Sequence, residues 1–294
     1  MTGRILWIGA WMTHFLRLAG FALLLVPGAS AWADAPPSRI VSINLCADEL
    51  LVTLADQNQI AALSPYAVDP TLSYVAKEAE KFRHDASEAE TVVDIAPDLI
   101  LAGRFTKLAT RDMLTRLGYR VVLLDAARSI DQSIAQIREI ATLVGHPDRG
   151  EALVAEIGAA RERARKAGAR FASPVTAAVY QRRGYVTGAE TLTGELLSTV
   201  GFTNAGGALA GKTGRFVPLE RLITTRPDYL VVASPTLRPE DQGTALLAHP
   251  ALAALYPPKR RIVLPEMLTV CAGPSLPAAL DWLATETARV TASP

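Results

Sequence analysis

The chain has 294 residues, half of them apolar, and a formal net charge of +1. That length suffices for one large or two ordinary globular domains, and the near-zero charge gives no reason to expect nucleic acid as a partner. Two cysteines and four histidines are too few for a multi-site metalloprotein.

Arg17 precedes "LAGFALLLVPGASAWA", a positive region, an apolar core and a small-x-small site at Ala31-Trp32-Ala33. Residues 1–33 therefore read as a signal peptide, and a start at Met12 would give it a more ordinary length. An uncleaved anchor helix is the alternative, against which Pro27 and Gly28 stand. Loss of Arg4 and Arg17 takes the charge from +1 to −1. The first cysteine, Cys46, lies too far on for a lipid anchor, so a soluble periplasmic product is expected.

"RIVSINL" (39–45) alternates and is β-branched, as a strand should be. "ADELLVTLA" (47–55) has helical spacing, with Asp48 and Glu49 in a first turn whose dipole favours them. "IAALS" (60–64) and "DLILAG" (98–103) read as short strands. "TKLATRDMLTRLG" (106–118) reads as a helix with Leu108, Met113, Leu114 and Leu117 as its apolar face and Gly118 as its stop. "YRVVLLD" (119–125) reads as a strand buried on both faces. Strands alternating with helices predict a parallel sheet.

Ser129 and Gln132 predict a capping box ahead of a helix that Gly145 ends. Pro147 suits a first helical position, and the pattern then runs to Gly168 with Leu153, Ile157, Ala160 and Ala164 on one face. An ordinary crossover helix and a strut along two lobes both fit that stripe. After it the α/β pattern restarts. "PVTAAVYQ" (174–181), "YLVVAS" (229–234) and "RIVLPE" (261–266) read as strands, "RRGYVTG" (182–188) as a turn and return, and "TGELLSTVG" (193–201) and "SLPAALDWLATETARV" (275–290) as helices.

One segment occurs twice. "ETVVDIAPDLILAG" begins at Glu90 and "ERLITTRPDYLVVA" at Glu220, and Glu90/Glu220, Pro97/Pro227 and Asp98/Asp228 are each 130 residues apart. The expected fold is α/β, with two Rossmann-like lobes of mostly parallel sheet joined by one long helix. The expected division is an N-terminal lobe over 34–128, connecting helices over 129–168 and a C-terminal lobe over 169–294.

Few motifs carry chemistry. "GGALAGKT" (206–213) fits a phosphate-loop pattern, but no strand precedes it and no helix follows it, so it reads as a flexible glycine loop near the cleft. No nucleophile elbow, H-E-x-x-H helix or C-x-x-C pair occurs, so no catalytic residue, metal site or cofactor is assigned and the protein is not expected to be an enzyme. An enzyme on the same scaffold is the alternative of another class. Cys46 and Cys271 follow strand ends, where open α/β sheets bind ligands. In an oxidising compartment two cysteines usually pair, while free thiols or a thiolate ligand stay open. Tyr66, Arg83, His84, Arg104, Phe105, Tyr180, Arg182 and Arg183 also follow strands and make an aromatic and basic candidate cleft, joined by Asn44 and Glu266 at the ends of their own strands. Glu90 and Glu220 are either favourable charges at helix starts or one exposed carboxylate per lobe for docking.

With "RIVSINLCADELL", both Pro-Asp-strand repeats, the long central helix and the closing helix in view, nearly all of the mature chain resembles the substrate-binding proteins of ABC importers for cobalamin, ferric siderophores and haem. The resemblance implies two lobes on a rigid helix, ligand capture in the cleft with modest closure, and delivery to a dimeric inner-membrane permease whose arginines meet one glutamate per lobe, here Glu90 and Glu220. The protein is then a monomer whose partners are a metal chelate and the permease. Tyr66, in "SPYAVDP", matches a cleft aromatic of cobalamin binders. His84 stands where those proteins carry tryptophan and hydroxamate binders arginine, so the chelate stays open. The basic set tilts the expectation towards an anionic ferric siderophore over a corrinoid. Haem is the alternative, with Tyr66 or His84 as axial candidates.

Overall fold

The structure, a computed structural model, describes residues 35–233, 247 and 249–292. The expected signal peptide lies outside the described residues. Two four-stranded parallel sheets form the lobes. The N-terminal sheet has the order β2-β1-β3-β4, from Ile60–Ala62, Ile40–Ser42, Leu99–Gly103 and Val121–Leu124. The C-terminal sheet comprises Phe202–Asn204 (β7), Val175–Val179 (β5), Tyr229–Ala233 (β9) and Arg261–Leu264 (β10), in the order β7-β5-β9-β10. The two orders correspond strand for strand, and Ile100 pairs with Val121 as Leu230 pairs with Arg261.

The repeated Pro-Asp segment does one job in both lobes. Helices α3 (Ala89–Ile95) and α9 (Leu219–Thr225) each end on a residue in the left-handed region, Ala96 at φ 50° and Arg226 at φ 48°. The turn that follows delivers an aspartate to the start of the central strand. Asp98 accepts from the Ser38 amide (2.7 Å), the Ser38 hydroxyl (2.9 Å) and the Arg39 amide (3.1 Å). Asp228 accepts from the Thr176 amide (2.8 Å) and hydroxyl (2.7 Å). The sequence repeat is thus a device that pins the strand after the turn to the strand beside it.

Helix α6 (Pro147–Gly168), about 33 Å long, buries Leu153, Ile157, Ala160 and Ala164. It packs along the terminal helix Leu276–Ala292, against α5 (Ile130–Leu143) on the N-terminal side and α7 (Leu192–Thr199) on the C-terminal side. One hydrophobic cluster joins α1 (Leu45–Leu54), α5, α6, α7 and the terminal helix, while the outer face of each sheet has its own cluster. Half of the capping box forms: the Ser129 hydroxyl accepts from the Gln132 amide at 3.1 Å, but the Gln132 side chain accepts from the amide of Arg128, one residue before the cap, at 2.8 Å.

Several expectations are corrected. The first strand stops at Ser42, because Asn44 is already the cap of α1. Because α1 already begins at Leu45, only Asp48 lies in its first turn and Glu49 follows it, and both are fully buried. In α4 (Leu108–Arg116) and its cap only Leu114 of the four predicted apolar residues is buried, since α4 lies beside an edge strand and has too little sheet to cover its whole apolar face. That strand, β4, has Leu123 exposed because nothing pairs beyond it among the described residues. The glycine-rich 206–213 segment is not a loop throughout. Gly206–Ala210 form α8, and a Cβ at Gly206 would lie 2.0 Å from the Thr187 carbonyl, so glycine is needed for tight packing. Residues 182–188 do turn and return, giving β6 (Tyr185–Thr187), which pairs antiparallel with β8 (Gly214–Phe216).

Burial acts to raise Asp98 and Asp228, but their hydrogen bonds outweigh it and hold both carboxyls below the usual range. Their contribution to stability is therefore present above the unfolded-state value and lost as pH falls through the lower folded-state value. Asp98→Ala and Asp228→Ala should each cost roughly 1–2 kcal/mol, and the double variant should show the sum because the sites lie in separate sheets. Urea unfolding midpoints at neutral pH, with unchanged slope, measure this.

Candidate functional site

The C-terminal ends of β1, β2 and β3 open into a cavity of about 450 Å³, lined by Asn44, Ser64, Tyr66, Ser87, Phe105, Thr106 and Lys107 among others. Local folding explains each wall. Asn44 caps α1, its Oδ1 accepting from the amides of Cys46 (3.1 Å) and Ala47 (3.3 Å). It packs against Gly103, where a Cβ would meet the Asn44 side chain at 2.4 Å. Beyond β3, the Gly103 amide donates to the Thr106 hydroxyl at 3.0 Å, and this turn projects Phe105. Tyr66 stands on the single turn Pro65–Val68 that follows β2. Both rings are open to solvent, Tyr66 at 57 % and Phe105 at 86 %. Exposed aromatics of that size at a cavity mouth are surfaces for a flat apolar partner.

The charges around this cavity are paired. Lys107 is bonded to Glu88, and Arg83 makes a bidentate contact with Asp85 at 2.6 and 2.9 Å. Across the cleft, burial pushes Glu266 upward while Arg182 pulls it down and Asp69 of the N-terminal lobe pushes it further up. Glu266 thus feels both Arg182 and Asp69, which lies four residues on from the tyrosine turn's first residue.

The structure unites some predicted site residues and separates others. Asn44, Tyr66 and Phe105 share the cavity. Arg104 turns instead into a second hollow of about 530 Å³ between β4 and α5, where it meets Asp125 at 3.2 Å. Arg83 and His84 line neither, and the His84 Nδ1 lies 2.8 Å from the Phe82 carbonyl. Tyr180 is fully buried in the outer cluster of the C-terminal sheet and leaves the cleft set, because β5 continues inward past Val179 and pairs Tyr180 with Val186. Arg183, at φ 57°, forms the exposed turn into β6. Ser64, Ser87, Thr106, Lys107 and Glu88 were not foreseen. They lie just past strand ends or at the start of α3, and position after a strand was the signal available for them.

Cys46 and Cys271 form a disulfide, with their Cα atoms 5.2 Å apart and a sequence separation of 225. It ties the first turn of α1 to the segment ahead of the terminal helix, and so one lobe to the other at the floor of the cleft. A second, polar clasp was invisible in the sequence. Glu195 of α7 accepts from the Ile130 amide at the start of α5 (2.8 Å) and meets Arg161 of α6 (3.2 Å), which also meets Asp131 (3.0 Å). Glu90 and Glu220 are both exposed in the first turns of α3 and α9, equivalent positions in the two lobes. Among the described residues no group of three or more His, Cys, Asp or Glu could hold a metal ion, and no helix is long and apolar enough to cross a membrane.

A family model described as periplasmic binding protein matches residues 40–257. A curated cobalamin-binding protein of Halobacterium salinarum is 26% identical over 223 residues, 73% of this chain. The chain spans 59% of the length of that relative. Among solved structures, the apo heme-binding protein RhuT of Roseiflexus sp. RS-1 superposes with a TM-score of 0.71 at 22% identity, over 86% of this chain and 99% of that one. The vitamin B12-binding protein BtuF of Vibrio cholerae gives 0.66 at 16% identity, over 88% and 99%.

The disulfide closes a long loop, and its loss should cost about 2–5 kcal/mol. Reductant should lower the unfolding midpoint of the parent and leave that of the Cys46→Ser, Cys271→Ser double variant unchanged, the variant itself unfolding at the lower value. Denaturant titration with and without reductant checks this.

Proposed function

The chain belongs to the periplasmic binding protein family, and from that premise we propose that it captures a metal chelate between its lobes and hands it to an ABC permease in the inner membrane. The observation that carries the ligand reading is the cavity faced by the exposed rings of Tyr66 and Phe105, with its neighbouring charges already neutralised in pairs. An anionic siderophore would need basic side chains left over for it. Arg83, Arg104 and Lys107 each have a carboxylate instead. A bulky chelate of low net charge and broad apolar faces fits better, so a cobalamin-type corrinoid ranks ahead of a ferric siderophore. The curated relative named as a cobalamin-binding protein supports that order. Haem is the second reading, favoured by Tyr66, whose exposed phenol could approach an iron atom.

The protein's own chemistry in this role is binding, without a catalytic step. Flat aromatic walls remove apolar ligand surface from water at roughly 25 cal/mol per Å². The helix strut, the disulfide and the Glu195 clasp limit how far the lobes part, which lowers the ordering cost of closure. Glu90 and Glu220, one per lobe and placed alike on α3 and α9, are proposed to meet basic residues of a two-fold permease. Residues 1–33 are proposed as a cleaved export signal, with the mature monomer working in the periplasm.

Titration with cyanocobalamin, haem and a ferric hydroxamate, followed by visible absorption and native mass, tests the ligand. Cyanocobalamin should bind most tightly, and Tyr66→Ala with Phe105→Ala should weaken it at least tenfold, about 1.4 kcal/mol. Failure of all three to bind would sink the chelate reading. For docking, Glu90→Lys and Glu220→Lys should abolish uptake in reconstituted vesicles while the ligand affinity of the free protein stays as it was. An equal fall in affinity would show that these residues belong to the ligand site.

A further inference from the structure

Asp48, in the first turn of α1, and Glu49, the residue after it, are both fully buried below the cavity. Asp48 Oδ1 accepts from the Ser64 amide at 3.1 Å, and Oδ2 accepts from the Ser64 hydroxyl. Glu49 Oε1 accepts from the Tyr74 amide at 3.0 Å. Glu49 Oε2 is buried with no hydrogen-bond partner among the described residues. The two carboxyls therefore fasten both ends of the segment 64–74. Between those ends lie Tyr66 and Leu72, which line the cavity, and Asp69, which acts on Glu266.

The surroundings offer this pair no cation. β1 and β3 bring apolar side chains and the Ser42 hydroxyl, which donates to the Asn44 carbonyl at 3.0 Å. The buried face of α5 is Ile130, Ser133, Ile137, Ile140 and Ala141. From α6, Arg149 reaches the opposite end of α1, donating to the Leu54 carbonyl at 3.0 Å. Glu156 of α6 and Glu78 of α2 (Ala76–Ala79) act on the Tyr74 phenol, adding negative charge near Glu49 rather than offsetting it. The disulfide segment contributes Cys271 and Gly273, which do not titrate. Two adjacent carboxylates in such a place repel each other, and one buried oxygen has nothing to accept from.

We propose that Asp48 and Glu49 are positioning residues for the ligand, a proton-holding clamp that keeps the segment 64–74 in the shape that presents Tyr66 to the cavity. The ligand half of this proposal deepens the chelate-binding reading and rests on it; the clamp itself does not. Burial pushes both carboxyls up to about 7, against the pull of Ser42 and Ser64 on Asp48 and of the Tyr74 amide on Glu49, and the Asp48 charge pushes Glu49 up further. The folded state thus holds more protons than the unfolded state between the ordinary carboxyl values and about 7. Raising the pH through that window removes stability. The Ser64 and Tyr74 donors favour the charged forms, but they do not offset burial, so a doubly charged pair is relieved by reaching water, which moves the 64–74 segment off α1 and breaks those bonds.

Hydrogen exchange on the ligand-free protein reads the clamp directly. Protection factors of the Ser64–Tyr74 segment, corrected for intrinsic exchange, should fall by about tenfold between about pH 6 and about pH 8, while those of β3 hold. In Glu49→Gln, which keeps the acceptor for Tyr74 but cannot ionise, and in Asp48→Asn the fall should be reduced, and in the double variant it should disappear. Cyanocobalamin affinity should weaken over the same interval in the parent and less so in Glu49→Gln. Equal protection at both pH values, or an unchanged pH dependence in Glu49→Gln, overturns the proposal. Should Glu49→Gln fail to fold, the parent's pH series decides alone. Loss of segment protection at high pH without cyanocobalamin binding at either pH would uphold the clamp and reject the ligand reading.

Discussion

Everything about the cleft depends on the buried stripe of α6. Leu153 and Ile157 fill the core on one side, while Ala160 and Ala164 leave room for the terminal helix to lie close. Each fully buried leucine or isoleucine stabilises the packing by roughly 1.5–3 kcal/mol, and the alanines contribute by permitting contact rather than by area. Because α5 and α7 pack on the same strut from opposite lobes, the strand ends of the two sheets are held at a fixed separation. The disulfide and the Glu195 clasp then act on a geometry that the helix has already set. They narrow the range of opening and do not create it.

The duplicated lobes show which features a parallel sheet demands and which it leaves free. The Asp98 and Asp228 anchors keep the same partners in chemical terms, an amide and a hydroxyl at the start of the central strand. The edge strands differ. In the C-terminal lobe the Trp282 indole N–H donates to the Val263 carbonyl at 3.0 Å, although the Val263 side chain is exposed. At the equivalent place in the N-terminal lobe Leu123 is also exposed. A constraint on a central strand is met twice in the same way because any slip would turn its buried side chains outward. Edge strands face no such penalty and have diverged.

That difference also accounts for what could be read from the sequence. Central strands buried on both faces are continuous apolar runs, so β3, β5 and β9 were legible, as were α6 with its Pro147 start and the Ser129 cap of α5. The apolar run of β4 looked the same as the others, yet an edge strand has only one neighbour, and sequence carries no mark of sheet order. The α4 face was misjudged for the same reason. At the site, Asn44, Tyr66 and Phe105 were found by position after a strand. Tyr180 obeyed that rule on paper but sits one residue too early, still inside the sheet. What stayed out of reach was pairing at a distance: Glu195 with Arg161, Asp48 with Ser64, and Cys46 with Cys271 except as a guess from compartment. The charged residues themselves were visible, whereas the pairing of Arg83, Arg104 and Lys107 with carboxylates was not.

The same bookkeeping of charge links the cavity to the helix beneath it. A cleft whose surface ions are already paired gains little by attracting a ligand over distance, so affinity must come from shape and apolar contact, which require a wall that does not move. The wall that carries Tyr66 is a short turn whose segment is fastened to α1 by the Asp48 and Glu49 carboxyls. Placing Asp48 in the first turn of a helix eases its charge; burying it restores the cost. A buried acid with one free oxygen is a poor way to stabilise a fold and a good way to make the hold on one loop conditional on a proton.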